Sequence, residues 1–245
     1  MQRLVFAFVF AVSLALAPHA SADQNNFEQC RQVFANGEPP QLQKQESQQL
    51  RALCFSAFAV LHSGQSRTPL YVAERLNRNI LQGAHQKRKD KFFADARLPR
   101  AERAELSDYK GSGYDRGHMA PAADMATPES MAQSFSLANM VPQAPNNNRK
   151  AWAGIEKATR KYVMRAQGDV YVISGPVFDN MPSTIGNNRV WVPKHLFKLV
   201  YDPSTNKAWA HWIDNQNMAK VGKPINYPEL VKRTGISFLP NYRGS

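Results

Sequence analysis

The chain has 245 residues, with 31 Lys and Arg against 19 Asp and Glu, a formal charge of +12. That length can bury one sizeable core or two tightly fused halves, and the positive surplus favours a polyanionic partner. Beyond one N-terminal run no segment is apolar enough to span a membrane, and two cysteines without nearby histidines argue against a zinc site.

Residues 1–22 read as a signal peptide. Arg3 supplies the basic start, Leu4 to Ala17 an apolar run, and Ala20, Ser21 and Ala22 a small-x-small cleavage site. The run is about 14 residues, short of the roughly 20 that an uncleaved spanning anchor needs. The expected location is the periplasm or the cell exterior, and the chain left after cleavage has 30 basic and 19 acidic residues, +11. In such an oxidising compartment Cys30 and Cys54 are expected to form a disulfide.

Residues 27–36 and 44–62 read as helices, because Leu50, Leu53, Cys54, Ala57, Phe58 and Leu61 recur at helical spacing, with a break from Gly37 to Pro40. Stapled by Cys30–Cys54, residues 23–62 would be a helical hairpin used as scaffold, ahead of one domain over 63–245. Leu70–Leu76 suggests a strand. Residues 77–110 are polar, basic and irregular around Lys87 to Lys91, a run that reads as a solvated loop or, from its place just ahead of the key motif, as a phosphate contact. Pro128–Leu137 reads as a short helix, Pro142–Pro145 as loop, and 149–166 as an amphipathic helix marked by Trp152, Ile155, Thr159 and Val163. Strands follow at Val170–Ser174, 189–192, 195–201 and Ala208–Ile213, with a turn over Asp202–Asn206. A last helix, Pro228–Thr234, stops at Gly235. The layout is α+β. His62, His85, His195 and His211 show no ligand spacing, and Trp191, Trp209 and Trp212 lie on strand patterns as core or sheet-face residues.

Asp115, Arg116, Gly117 and His118 put an acid, a guanidinium, a flexible residue and an imidazole in four consecutive positions. The acid can orient the ring, Arg116 can bind a phosphate oxygen, and His118 can take a proton near neutral pH. Downstream, Asn139, Gln143 and Asn148 set amides before a helix that carries Glu156. Eight helical residues from Asn148 to Glu156 give about 80° of rotation and about 12 Å of rise, so the two share a side but cannot both grip one ion. Asn148 can offer its carbonyl oxygen to a hard cation, and Glu156 can order that ion's water, which suits Mg2+. An exported basic chain with a base, an arginine and an oxygen ligand points to phosphodiester hydrolysis.

The stretch from Asp115 to Asp124 resembles the signature of the DNA/RNA non-specific endonucleases, the endonuclease G-like branch of the ββα-metal nucleases. Asn139, Gln143, Asn148 and Glu156, at relative positions 0, 4, 9 and 17, match its second element, with Trp152 where the family has tryptophan. Arg67 to Pro69 and Val172 to Pro176 add to the likeness, which spans about residues 55–240. Met119 stands where relatives often have another residue type.

The resemblance implies a ββα-metal nuclease core with a mixed or antiparallel sheet flanked by helices. It implies that His118 is the general base, that Asn148 is the one direct protein ligand of a single Mg2+ (Mn2+ as a substitute), and that Glu156 holds the ion through water. Arg116 would contact the phosphate, Asn139 and Gln143 would shape the site, and Arg88 is the candidate for an upstream arginine acting on the transition state. Asp115 becomes structural support. The products would carry 5′-phosphate and 3′-hydroxyl ends. DNA and RNA are the expected partners; relatives are often dimers, which makes a homodimer one possible assembly, and the sequence itself does not give the oligomeric state. Two alternatives are a catalytically silent nucleic-acid-binding protein on the same fold and a metal-dependent phosphodiesterase for smaller substrates; the charge argues against the latter.

Overall fold

The structure, a computed structural model, describes residues 27–43, 49–88 and 90–244. The signal peptide expected over 1–22 lies outside them. Among the described residues no helix is long and apolar enough to cross a membrane.

Short 3-10 turns over Glu28–Val33 and Ala35–Gly37 lead to β1 (Gln41–Leu42), β2 (Leu50–Cys54), β3 (Phe58–Ser63) and β4 (Thr68–Leu76). Then come α1 (Arg78–Gly83), α2 (Leu106–Tyr109), β5 (Asp115–His118), α3 (Pro128–Gln133) and β6 (Met140–Gln143). A π-helical turn, Asn147–Trp152, runs into α4 (Ala153–Val163) and is followed by β7 (Val170–Val177), β8 (Thr184–Ile185) and β9 (Val190–Trp191). The chain closes with β10 (His195–Asp202), β11 (Lys207–Asp214), β12 (Ile225–Asn226), α5 (Tyr227–Thr234) and β13 (Ile236–Ser237). Gly235 ends α5 at φ 67°, the left-handed cap expected of it.

The centre is a seven-stranded sheet in the order β12-β11-β10-β7-β4-β3-β2, antiparallel at every pairing. Both faces are covered. On one, Tyr71, Ala73, Phe197 and Leu199 pack against Phe27, Val33, Leu230 and Phe238. On the other, Phe58, Val60, Val72 and Leu196 pack against Met119, Phe135, Trp152 and Ile155, which brings the catalytic-looking segments onto the sheet. The antiparallel pair β5–β6 and helix α4 together supply the ββα unit.

Three local expectations change. The helix expected over 44–62 is replaced by β2 and β3, joined at a tight turn where Phe55 N–H donates to Phe58 C=O at 2.9 Å; residues 44–48 lie outside the described part. Leu53 and Val60 serve one face of the sheet and Ala59 and Leu61 the other. A strand with two buried faces is apolar throughout, so helical spacing fits it by coincidence. Residues 27–36 form two 3-10 turns rather than one helix. Pro142, expected in a loop, sits inside β6 opposite Arg116; β6 belongs to a two-stranded pair, where a missing N–H is tolerated at an edge.

Cys30 and Cys54 are bonded, with Cα atoms 5.6 Å apart, and tie the first 3-10 turn to the end of β2. The bond closes a loop of sequence separation 24. Replacing both cysteines by alanine should lower stability by about 3 kcal/mol, read as a lower urea midpoint, with a steeper slope as the unfolded chain expands. An unchanged midpoint would mean that the turn is held by packing alone.

Candidate active site

The β5–β6 register pairs Asp115 with Gln143, Gly117 with Val141 and His118 with Met140. Gly117 has a steric role: a Cβ there would lie 2.0 Å from Gln143 Oε1 and 2.6 Å from its Cβ. Fully buried Gln143 therefore packs against the glycine backbone. Its Nε2 donates to Asn147 Oδ1 at 2.7 Å, and Asn147 Nδ2 donates to Asp214 C=O at 2.5 Å, which fixes the entry to the π-helical turn. Fully buried Asn139 clamps the peptide after the motif: its Oδ1 accepts from Ala120 N–H, and its Nδ2 donates to Ala120 C=O and Ser134 C=O, all within 3.0 Å. Asn139 and Gln143, expected to shape the site, do so from behind the cleft lining: both Asn139 amide atoms bond to backbone, and Gln143 Nε2 bonds to Asn147 while its Oε1 is buried without a hydrogen-bond partner among the described residues.

His118, at 9% exposure, lies against the rings of Phe92 and Phe135 at centroid distances of 5.9 and 5.2 Å. Burial, helped by the Arg88 charge and opposed by Asp90, holds its pKa down to about 3, so the ring is neutral near pH 7. Its Nε2 is buried without a partner among the described residues, which leaves Nδ1 as the nitrogen on the cleft side. The backbone carbonyl of His118 accepts from Trp152 Nε1 at 3.2 Å, and the next carbonyl, Met119, accepts from Lys198 Nζ at 3.3 Å. Lys198 is only 1% exposed; it also donates to Ser174 Oγ at 2.6 Å and sits 5.2 Å from the Trp152 ring centroid.

His118, Arg116, Arg88, Asn148, Glu156 and Asp115 all line one cleft of about 820 Å3. Arg116 lies 4.1 Å over the Phe92 ring and Arg88 5.4 Å over Phe135, so both guanidinium groups are steered by aromatic faces. Arg88 also pairs with Asp90 at 2.5 Å. Burial pushes Glu156 up to about 7, against the pull of Lys198 and with Asp124 adding to the rise. Below the cleft Arg160 pairs with Asp124 at 2.9 Å, and buried Glu74 is pushed well above the ordinary carboxylate range by desolvation.

Asp115 is the joint of the site. Its Oδ2 accepts from Asn148 Nδ2 and from Arg149 Nε, each at 2.9 Å, and its Oδ1 accepts from Arg149 Nη2 at 2.7 Å. A carboxylate can only accept here, so it selects the amide orientation in which Asn148 presents Oδ1 elsewhere. Asp115→Asn removes that selection. If Asn148 holds Mg2+ as the resemblance implies, the affinity of this variant for the ion, read by titration calorimetry, should fall about 10-fold to 100-fold; unchanged affinity would separate Asp115 from the orientation of Asn148.

Sequence reasoning missed Arg149, Asn147, Asn215 and Lys198. Asn215 accepts from Ala144 N–H at 2.8 Å and donates to Pro142 C=O at 3.0 Å, from 71 and 73 residues away. Only the fold brings it there, and no local pattern marks it. Arg149 directly follows Asn148, and that adjacency was the one available signal.

Residues 37–244 match the DNA/RNA non-specific endonuclease family. The chain is 37% identical over 203 residues to a Nostoc protein named Nuclease, covering 75% of this chain and 71% of that one. It is 37% identical over 204 residues to the mitochondrial nuclease EXOG of Xenopus laevis (74% of this chain, 56% of the other). To human mitochondrial endonuclease G it is 34% identical over 174 residues (66% of this chain, 55% of the other). It thus spans little more than half the length of these mitochondrial relatives. A chain from the crystal structure of the EndoG/EndoGI complex shares the fold at a TM-score of 0.68 and 24% identity, covering 77% of this chain and 85% of that one. The protein therefore belongs to the DNA/RNA non-specific endonuclease family.

Proposed function

We propose that the protein is a Mg2+-dependent endonuclease that hydrolyses DNA and RNA without sequence preference, leaving 5′-phosphate and 3′-hydroxyl ends. The observation that carries this reading is the meeting of a neutral buried histidine, two arginines and two oxygen donors in one cleft.

Among the described residues no three His, Cys, Asp or Glu side chains converge as a metal cluster. The donors present suit a hard ion that keeps most of its water: the Asn148 carbonyl oxygen, freed by the bond from its Nδ2 to Asp115, and the Glu156 carboxyl group. Asn148 would hold Mg2+ directly and Glu156 through water. Bound there, the ion supplies charge neutralisation at the scissile phosphate and its leaving oxygen.

His118 takes the proton of the attacking water at Nδ1, and its low pKa keeps that nitrogen free to accept. Arg116 and Arg88 bind non-bridging phosphate oxygens and answer the charge that builds on them. Asp115 keeps Asn148 turned and Arg149 tethered at the rim, where Arg149 is 68% exposed. Contacts of this kind are to phosphate, which fixes register without reading sequence. The Cys30–Cys54 bond supports an oxidising compartment and hence export after cleavage of residues 1–22.

The test is to incubate the mature protein with duplex DNA and with RNA, in Mg2+ and in excess chelator, and to type the ends. Cleavage of both polymers in Mg2+, 5′-phosphate ends and silence in chelator are expected. Cleavage that persists in chelator would remove the metal from the reading, and 3′-phosphate ends would remove the assigned direction of bond breaking.

A further inference from the structure

Helix α4 has three faces. Ile155, Thr159 and Val163 are buried. Ala153 and Glu156 line the cleft, and Arg160 continues that line to Asp124. The residues that follow these three, Gly154, Lys157 and Lys161, fall about 100° further round. All three are exposed, as is Lys150 on the preceding turn. Among the described residues Lys150, Lys157 and Lys161 make no ion pair with a carboxylate, whereas Arg149 and Arg160, on the neighbouring face, are both paired.

Gly154 adds an independent observation. It lies inside a continuous helical stretch, where glycine is a poor helix former, and a Cβ there would meet nothing within 4 Å. Packing does not require it. An exposed helical glycine leaves room for another backbone to approach closely.

We propose that the stretch of substrate flanking the scissile phosphate leaves the cleft across this third face of α4. Its sugar–phosphate backbone passes over Gly154, with Lys150 on one side and Lys157 and Lys161 on the other. Lys157 and Lys161 stand about 6 Å apart along the helix axis, and unpaired lysines beside a cleft built for phosphate complement a polyanion and no sequence. The occupant is the nucleic-acid strand itself, so the proposal rests on the nuclease reading. It extends the binding site beyond the residues that surround the reacting phosphate.

The test measures binding of a labelled duplex of about 30 base pairs in Mg2+, in a His118→Ala background that leaves the DNA intact. The variant Lys150→Glu/Lys157→Glu/Lys161→Glu is compared with Arg31→Glu/Lys207→Glu/Lys232→Glu. The second set makes the same charge change at exposed positions on the first 3-10 turn, β11 and α5. The α4 variant should bind at least about tenfold more weakly, and its salt slope should shrink by about 3; the control should hold the parent slope. Equal losses in the two variants would overturn the proposal. Gly154→Gln supplies a second arm. It should raise the melting temperature by about 2 °C and still weaken binding. A raised melting temperature with unchanged binding would also overturn it. Failure of the wild-type protein to cut the same duplex in Mg2+ would instead overturn the nuclease reading.

Discussion

His118→Ala should lower kcat on duplex DNA by about 10^2-fold to 10^4-fold, the range that a positioned general base contributes, with little change in melting temperature. The imidazole is the one neutral proton acceptor in the cleft whose basic state near pH 7 is secured by burial. The motif backbone is held independently of the ring: Asn139 clamps Ala120, Trp152 holds the His118 carbonyl, and Lys198 holds the Met119 carbonyl. The variant should therefore fold as the parent does and keep the proposed Asn148 ligand in place. Single-turnover kinetics with matched circular dichroism would check both halves. A loss below tenfold would mean that water is activated by another group, and a collapsed melting curve would place His118 among the structural residues.

Trp152→Ala should cost about 3–5 kcal/mol of stability, a large share of what a domain of this size has. Trp152 is 1% exposed at the centre of the core that joins the catalytic segments to the sheet. It also carries the hydrogen bond to the His118 carbonyl, so its loss strikes the core and the motif together. Trp152→Phe separates the two effects. The ring still fills most of the space, while a buried carbonyl loses its donor at about 1–3 kcal/mol. Urea unfolding should rank the wild type above Trp152→Phe and that above Trp152→Ala, and kcat of Trp152→Phe should fall although it stays folded. Full activity in Trp152→Phe would show that the carbonyl needs no donor from this side chain.

Much of the site was legible because its chemistry is concentrated in two short stretches. The Asp115–His118 run and the spacing from Asn148 to Glu156 are local, and both lead to residues of the same cleft. The strands at 170–174, 195–201 and 208–213 were legible from their apolar runs, and the stop at Gly235 from its residue type.

What escaped depends on tertiary neighbours. Lys198 interrupts an apolar strand and reads as a solvent-facing lysine, but the sheet is covered on both faces, so it is buried beneath His118 and Met119. Asn139 and Gln143 carry the same functional groups as Asn148, but the β5–β6 pairing seats Gln143 against Gly117, and Asn139, just ahead of β6, is clamped to Ala120, so neither lines the cleft. The segment from Leu50 to Leu61 satisfies helical and strand periodicity alike, and the sheet decides between them. Asp115 could orient the imidazole by its residue type alone, and the resemblance made it structural support; its oxygens are taken by Asn148 and Arg149 of the second stretch.

The most direct test of the nuclease reading is a time course of supercoiled plasmid in Mg2+ with the protein lacking residues 1–22 and with its His118→Ala variant at equal concentration. The wild type should convert plasmid to relaxed, linear and then fragmented DNA, while His118→Ala leaves it supercoiled over the same period. Intact plasmid with the wild type, or equal cleavage by the two proteins, would contradict that reading.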